Sequence, residues 1–103
     1  QFNIFYEADS AWTAPTLVNS WANIAGDVDS GYRLENGRVY LNGAVDGGSS
    51  STTITTLPAG YRPYLTVRDP SGGGKFTISS AGVITAQATG PISFTGYSFE
   101  AIG

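Results

Sequence analysis

The carboxylates of this chain fall mainly in glycine- and serine-rich stretches, where they could bind a metal, assist hydrolysis or hold a sugar. Four of the five aspartates lie there: Asp27, Asp29, Asp46 and Asp69. Histidine and cysteine are absent from the sequence. Ser-His and Cys-His nucleophiles are therefore excluded, and so are metal sites built on cysteine. The chemistry open to this chain has to come from carboxylates, hydroxyls and a few cations.

A calcium loop is the first candidate, because DVDSG (27–31) has the acidic spacing with which such loops begin. The twelve-residue frame fails at two required positions. Tyr32 stands where glycine makes the sharp turn, and Arg38 stands where a bidentate glutamate belongs. We predict no metal site.

A phosphate loop is the second candidate, suggested by SGGGKF (71–76). Phe76 follows Lys75 where serine or threonine is required, and a strand is predicted where a helix should begin. We therefore predict no nucleotide and no other cofactor. The glycine N–H groups beside Lys75 leave an anion-binding nest open as an alternative to a plain hairpin loop.

Hydrolysis of a glycoside requires two carboxylates held about 5–9 Å apart across a cleft. No pair of aspartates occupies predicted strand positions that would fix such a separation. We therefore predict that the chain is not an enzyme.

Sugar binding requires less, because carboxylates and arginine pair with vicinal hydroxyls while an aromatic ring covers the apolar face of the sugar. For Trp21 the alternative is a core position, which is common for tryptophan in a small β-domain. The candidate saccharide-binding residues are Trp21, Asp27, Asp29, Asp46, Arg68 and Asp69.

Composition limits the class of protein. The 103 residues suffice for one small domain with a modest core, and the net charge of −3 cannot supply the basic stripe that nucleic acid requires. Attraction to an anionic membrane is disfavoured for the same reason, and no apolar run is long enough to span one. Few charges among many Gly, Ser, Thr and Asn residues favour an extracellular or virion-surface β-protein. Residue 1 is not methionine, so we expect a processed or excised chain.

The elements that position these residues are predicted to be strands. In GYRLENGRVYLNGAV (31–45) polar and apolar residues alternate around Asn36-Gly37, which is typical of a two-residue type I′ hairpin. Further strands are predicted at 51–57, at 64–69, in a second hairpin within 74–88, and in the closing run, where Gly96 indicates a bulge. We predict about eight antiparallel strands and no convincing helix.

Strand parity predicts which loops lie together. If consecutive strands are antiparallel, one end of the domain receives the loops 25–31, 46–51, 69–74 and 88–91, with all four loop aspartates. The opposite end receives both termini and the tight turns, including TLPAGYRP (56–63). The Pro and Gly residues of TLPAGYRP predict a structural turn, with Tyr61 closing that end of the core.

Several motifs together resemble a known family. They are WTAPTLVNSWAN, YRLENGRVYLNGAV, TLPAGYRP, KFTISSAGVITA and ISFTGYSFE, and they cover roughly residues 11–100. In this combination and order the chain resembles the C-terminal head domain of tailed-phage baseplate receptor-binding proteins, of the lactococcal siphophage group.

The resemblance implies a small antiparallel Greek-key β-barrel at 11–103, with residues 1–10 as the end of a neck and Trp12 packed at that junction. It also implies a homotrimer on the virion baseplate that contacts upstream neck proteins and attaches, without catalysis, to host cell-surface saccharides. These would be a cell-wall polysaccharide or a polymer containing glycerol phosphate. The sugar site of better-known members includes a histidine, which is absent here, so no site residue is transferred by position. A ligand-free trimerisation or decoration domain, and a carbohydrate-binding module of a polysaccharide-degrading enzyme, remain the alternatives.

Overall fold

The computed structural model describes residues 12–70 and 73–101, and the predicted neck segment 1–10 lies outside them. Within these ranges the chain is all-β, as predicted, and contains no helix. Ten short strands replace the predicted eight or so. They are β1 (Ala22–Asn23), β2 (Gly31–Glu35), β3 (Arg38–Asn42), β4 (Ala44–Asp46), β5 (Thr53–Thr56), β6 (Val67–Arg68), β7 (Phe76–Ile78), β8 (Val83–Ala86), β9 (Ile92–Ser93) and β10 (Ser98–Glu100).

The strands form three antiparallel sheets, ordered β1-β4-β9, β10-β3-β2 and β5-β8-β7-β6. Hydrogen bonding does not continue from sheet to sheet around a closed circuit in the described residues. The all-β class is thus confirmed, while the expected barrel is not closed.

Two glycines lie where the chain passes between the β1-β4-β9 and β10-β3-β2 sheets. The run from β3 to β4 changes sheet at Gly43, and the run from β9 to β10 changes sheet at Gly96; both have positive φ, +87° and +81°. The predicted bulge at Gly96 is a turn, because the N–H of Tyr97 donates to the carbonyl of Phe94 at 3.0 Å. The two crossings lie side by side, since the N–H of Phe94 donates to the carbonyl of Gly43 at 2.8 Å.

A single core lies between the sheets and collects the inward-facing side chain of nearly every strand. Alternate residues of β3 and β8 are buried, which is the period of two expected for half-buried strands. Burying each large side chain contributes about 1.5–3 kcal/mol. The core consists of Trp21, Val39, Leu41, Val45, Ile54, Leu57, Phe76, Ile78, Ile84, Ala86, Ile92, Phe94 and Phe99.

The β2–β3 hairpin has the predicted type I′ turn, with positive φ at both Asn36 and Gly37. The turn in 56–63 is structural, as expected. Its Tyr61 ring packs edge-on against Tyr32 with centroids 5.0 Å apart. The Arg62 guanidinium donates to the carbonyl of Leu57 at 2.9 Å, so this arginine stabilises the turn.

Loop contacts agree with the two-ended arrangement predicted from strand parity. At the turn-rich end, Leu57 N–H donates to Gly82 and Ala101 N–H donates to Gly37, each at 2.8 Å. At the loop-rich end, Ser50 N–H donates to the Thr89 hydroxyl at 3.2 Å.

Candidate functional site

A wide, open groove of about 990 Å³ lies at the loop-rich end. Its lining combines charged, hydroxyl-bearing and apolar side chains. The lining residues are Ile24, Gly26, Asp27, Val28, Gly43, Ala44, Asp69, Pro70, Lys75, Phe76, Pro91, Ser93, Thr95, Gly96 and Tyr97.

The first wall is the loop between β1 and β2, which presents Asp27 and Val28. Its backbone rests on the sheet crossing: the N–H of Ala44 donates to the carbonyl of Val28 at 3.4 Å. The crossing must be glycine, because a Cβ on Gly43 would stand 2.4 Å from the carbonyl oxygen of Asp29. The Asp27 side chain is exposed, and no hydrogen bond or ion pair involving its carboxylate is found among the described residues. Its oxygens are therefore available to a ligand.

The second wall is the segment between β6 and β7, which presents Asp69, Pro70 and Lys75. The Asp69 carboxylate accepts a hydrogen bond from the N–H of Lys75 at 2.8 Å. The Asp69 N–H donates to the carbonyl of Phe76 at 2.9 Å. The Lys75 ammonium lies 3.4 Å from the carbonyl oxygen of Pro91, so this wall reaches across to the loop that precedes β9.

Tyr97 forms the aromatic part of the groove. Its ring meets Phe76 edge-on with centroids 5.2 Å apart, and its hydroxyl lies 3.4 Å from the carbonyl oxygen of Arg68. Burial raises the pKa of the Tyr97 phenol above its ordinary value near 10, the Asp69 carboxylate raises it further, and Arg38 partly offsets both. The phenol is therefore neutral at physiological pH and can donate or accept a hydrogen bond.

Small hydroxyls complete the groove. Ser93 and Thr95 are exposed, and they alternate with the buried residues Ile92 and Phe94. The Thr95 hydroxyl accepts from the N–H of Gly43 at 3.2 Å, which fixes it at the sheet crossing. The groove thus offers carboxylate acceptors, hydroxyls that can donate or accept hydrogen bonds, one ammonium group, and apolar proline and valine side chains. A hydroxylated ring with one apolar face matches that set.

Of the six predicted site residues, the structure brings two into the groove, Asp27 and Asp69. The other three polar candidates do not line it. Asp29 is exposed beyond the wall, Arg68 is exposed on β6, and Asp46 accepts a hydrogen bond from the N–H of Gly47 at 2.8 Å.

Trp21 is a core residue, so the prediction that its ring serves as a sugar platform is wrong. Only 3% of its surface is exposed, and its indole N–H donates to the Thr52 hydroxyl at 3.0 Å. Gly48 covers the ring so closely that a Cβ there would lie 2.2 Å from the indole. The alternative interpretation, a buried tryptophan, is the one that the packing supports.

Sequence reasoning missed Tyr97, Ser93 and Thr95, and it named Lys75 only as a loop donor and as part of a glycine nest. The alternation in ISFTGYSFE indicated that Ser93 and Thr95 point away from the core. What it did not show is that the chain changes sheet at Gly96, and that change places Tyr97 on the groove.

In the described part of the chain, no group of three or more His, Cys, Asp or Glu side chains could hold a metal ion. Over the same residues, no helix has the length and apolar character needed to cross a bilayer.

Comparisons with protein-family models, with curated proteins and with solved structures found no match for this chain.

Proposed function

We propose that this chain is a non-enzymatic receptor-binding domain that attaches to host cell-surface saccharides, as the head domains of phage tail proteins do. The observation that carries the proposal is the open groove at the loop-rich end, where Asp27, Asp69, Lys75 and Tyr97 converge. Its hydrogen-bonding groups and apolar walls suit a sugar ring, and its openness suits a unit within a longer polymer.

Binding fits the groove better than catalysis does. A general acid or base has to be held in place by neighbouring groups. Among the described residues, nothing hydrogen-bonds the Asp27 carboxylate, whereas Asp69 is engaged in closing its own loop. Two carboxylates in such different settings can both accept hydrogen bonds from sugar hydroxyls without performing hydrolysis.

Assembly is the second part of the proposal: a homotrimer, carried by upstream neck and baseplate proteins at the surface of the virion. A shallow polar site binds near the millimolar range, which is about 4 kcal/mol. Several copies on one particle would convert such binding into firm adhesion through effective concentration. Sedimentation of the 103-residue chain at micromolar concentration tests the assembly, because a stable monomer would contradict it.

A purely structural domain is the second candidate function. It is favoured by two adjacent apolar side chains, Tyr64 and Leu65, which are 69% and 67% exposed. Exposed apolar pairs of this kind suit contacts with another protein. This candidate predicts that the chain associates but binds no saccharide.

A glycan array of bacterial surface polysaccharides tests the proposal directly. The wild-type chain should bind a subset of the glycans, and Asp27→Ala should lose at least about tenfold in apparent affinity, since multivalent display amplifies the loss of one contact. Asp29→Ala is the matched control: it removes an exposed carboxylate two residues away that does not line the groove. Absence of any glycan signal, or equal loss in the two variants, would contradict the proposal.

A further inference from the structure

The charged groups of the groove are unequal in sign. Asp27 and Asp69 contribute two negative charges, and Lys75 contributes the one positive charge in the lining. The lining residues therefore carry a net charge of −1, within a chain whose net charge is −3. A negatively charged ligand is therefore repelled both by the charge of the lining and by the net charge of the whole chain.

The two carboxylates also come from different segments of the chain. Asp27 belongs to the wall between β1 and β2, whereas Asp69 belongs to the wall between β6 and β7. A sugar unit bound in the groove consequently meets acceptor-only groups from two separate segments. Ring hydroxyls and amines donate to such groups, but carboxylates and phosphates cannot.

Lys75 compensates for this only in part. Its ammonium is within 3.4 Å of the Pro91 carbonyl oxygen, and its backbone N–H is used by the Asp69 carboxylate. The glycine N–H groups that could have formed an anion nest lie in the same loop as Asp69, whose charge opposes a bound anion. Tyr97, which stays protonated at physiological pH, adds a neutral donor and acceptor.

We propose that the groove selects saccharide units without negative charge, neutral or amine-bearing, and discriminates against units that carry a carboxylate or a phosphate. This inference rests on the proposed function and narrows its ligand: it favours a neutral or amino-sugar-containing wall polysaccharide over a glycerol-phosphate polymer. The discrimination comes from the negative charges of Asp27 and Asp69 in the groove lining, and the positive charge of Lys75 limits its size.

The discrimination against negatively charged units can be tested with matched ligands, called the sugar panel. Its members are glucose, glucuronate, glucosamine, galactose, galacturonate, glycerol and glycerol 3-phosphate. Binding to the wild-type chain is followed at low and high salt by amide chemical shifts of the groove residues. Each anionic member should bind roughly threefold to tenfold more weakly than its neutral partner at low salt. The difference should shrink at high salt, because this exposed site is screened. Glucosamine should bind at least as tightly as glucose.

Two variants assign the effect to the named residues. Asp27→Asn keeps the size of the side chain and a carbonyl acceptor but removes the charge, so the ratio of glucose to glucuronate affinity should fall toward one. Lys75→Gln removes the opposing charge, so that ratio should rise. Asp29→Asn, outside the groove, should leave the ratio unchanged.

The sugar panel distinguishes failure of the charge selection from failure of saccharide binding itself. Tighter binding of glucuronate or glycerol 3-phosphate than of the neutral partners, lost in Lys75→Gln, would overturn the charge selection while leaving saccharide binding intact. If no member of the sugar panel shifts any groove amide, the saccharide site and the selection are both overturned.

Discussion

The carboxylate of Asp69 accepts a hydrogen bond from the backbone N–H of Lys75 at 2.8 Å and thereby closes the loop between β6 and β7. The Asp69 N–H also donates to the carbonyl of Phe76 at 2.9 Å. No comparable contact holds the Asp27 side chain in the described residues. The two groove aspartates therefore differ in what their removal should do.

Asp69→Ala should lower the free energy of unfolding by about 1–2 kcal/mol, because it leaves the loop N–H of Lys75 without its acceptor. Asp27→Ala should change it by less than about 0.5 kcal/mol, as is usual for an exposed side chain without partners. Urea denaturation of both variants, with Asp29→Ala as the exposed control, measures the difference. Equal stability of the Asp69 and Asp27 variants would show that the Asp69–Lys75 contact is not stabilising.

Gly48→Ala should destabilise the fold by about 2 kcal/mol or more, because its Cβ would stand 2.2 Å from the buried Trp21 indole and the core would have to shift. Gly31→Ala is the matched control. Its Cβ would meet neighbours at 3.5 Å or more, in ordinary contact, and Gly31 lies in a strand. Thermal unfolding of both variants gives the comparison, and similar melting temperatures would argue against the tight packing of Trp21.

The local turns, and the end of the domain at which each loop lies, were predictable from the sequence, whereas specific contacts between distant segments were not. The turn at Asn36-Gly37 followed from residue types that tolerate positive φ. Placing Asp27 and Asp69 at one end required only that consecutive strands be antiparallel. The sheet crossing at Gly43 could not be recognised in the sequence, because the alternation of inward- and outward-facing residues continues through it from Leu41 to Val45.

The interpretation of Trp21 depended on a partner far away in sequence. The indole is covered by Gly48, and its N–H reaches Thr52. A serine- and glycine-rich segment such as the one around Gly48 predicts an exposed, mobile loop. Nothing in the local sequence therefore indicated that it would cover a tryptophan. The same limitation hid Tyr97, whose place on the groove is set by the turn at Gly96 and by packing on Phe76.

Stability should fall at alkaline pH through Tyr97 and Tyr32, whose phenol pKa values are both raised, chiefly by burial. A raised pKa means that the folded state holds the proton more tightly than the unfolded state. The stabilisation is complete below about pH 10, the ordinary value for tyrosine. It is lost as the pH rises through the folded-state pKa.

Tyr97→Phe should therefore reduce the alkaline loss of stability, measured by urea denaturation across a pH series. Tyr64→Phe is the control, because it makes the same substitution at a side chain that is largely exposed. An unchanged profile in Tyr97→Phe would contradict the role assigned to its burial.

Thermal stability should be indifferent to metal chelators, because the calcium frame fails at Tyr32 and Arg38. Adding EDTA to the purified chain, and adding calcium back, should each leave the melting temperature unchanged. A fall of several degrees with EDTA, reversed by calcium, would mean that a bound ion stabilises the folded state by mass action.

Amide chemical-shift mapping of the ¹⁵N-labelled chain with the sugar panel tests most directly whether saccharides bind in the groove. We expect shifts around Asp27, at Lys75 and from Thr95 to Tyr97, and none at the Trp21 indole N–H, which is buried and bonded to Thr52. Shifts confined to the outer face of the β10-β3-β2 sheet, where Trp12 and Tyr40 flank Arg33 at 5.2 Å each, would place the sugar elsewhere and contradict it.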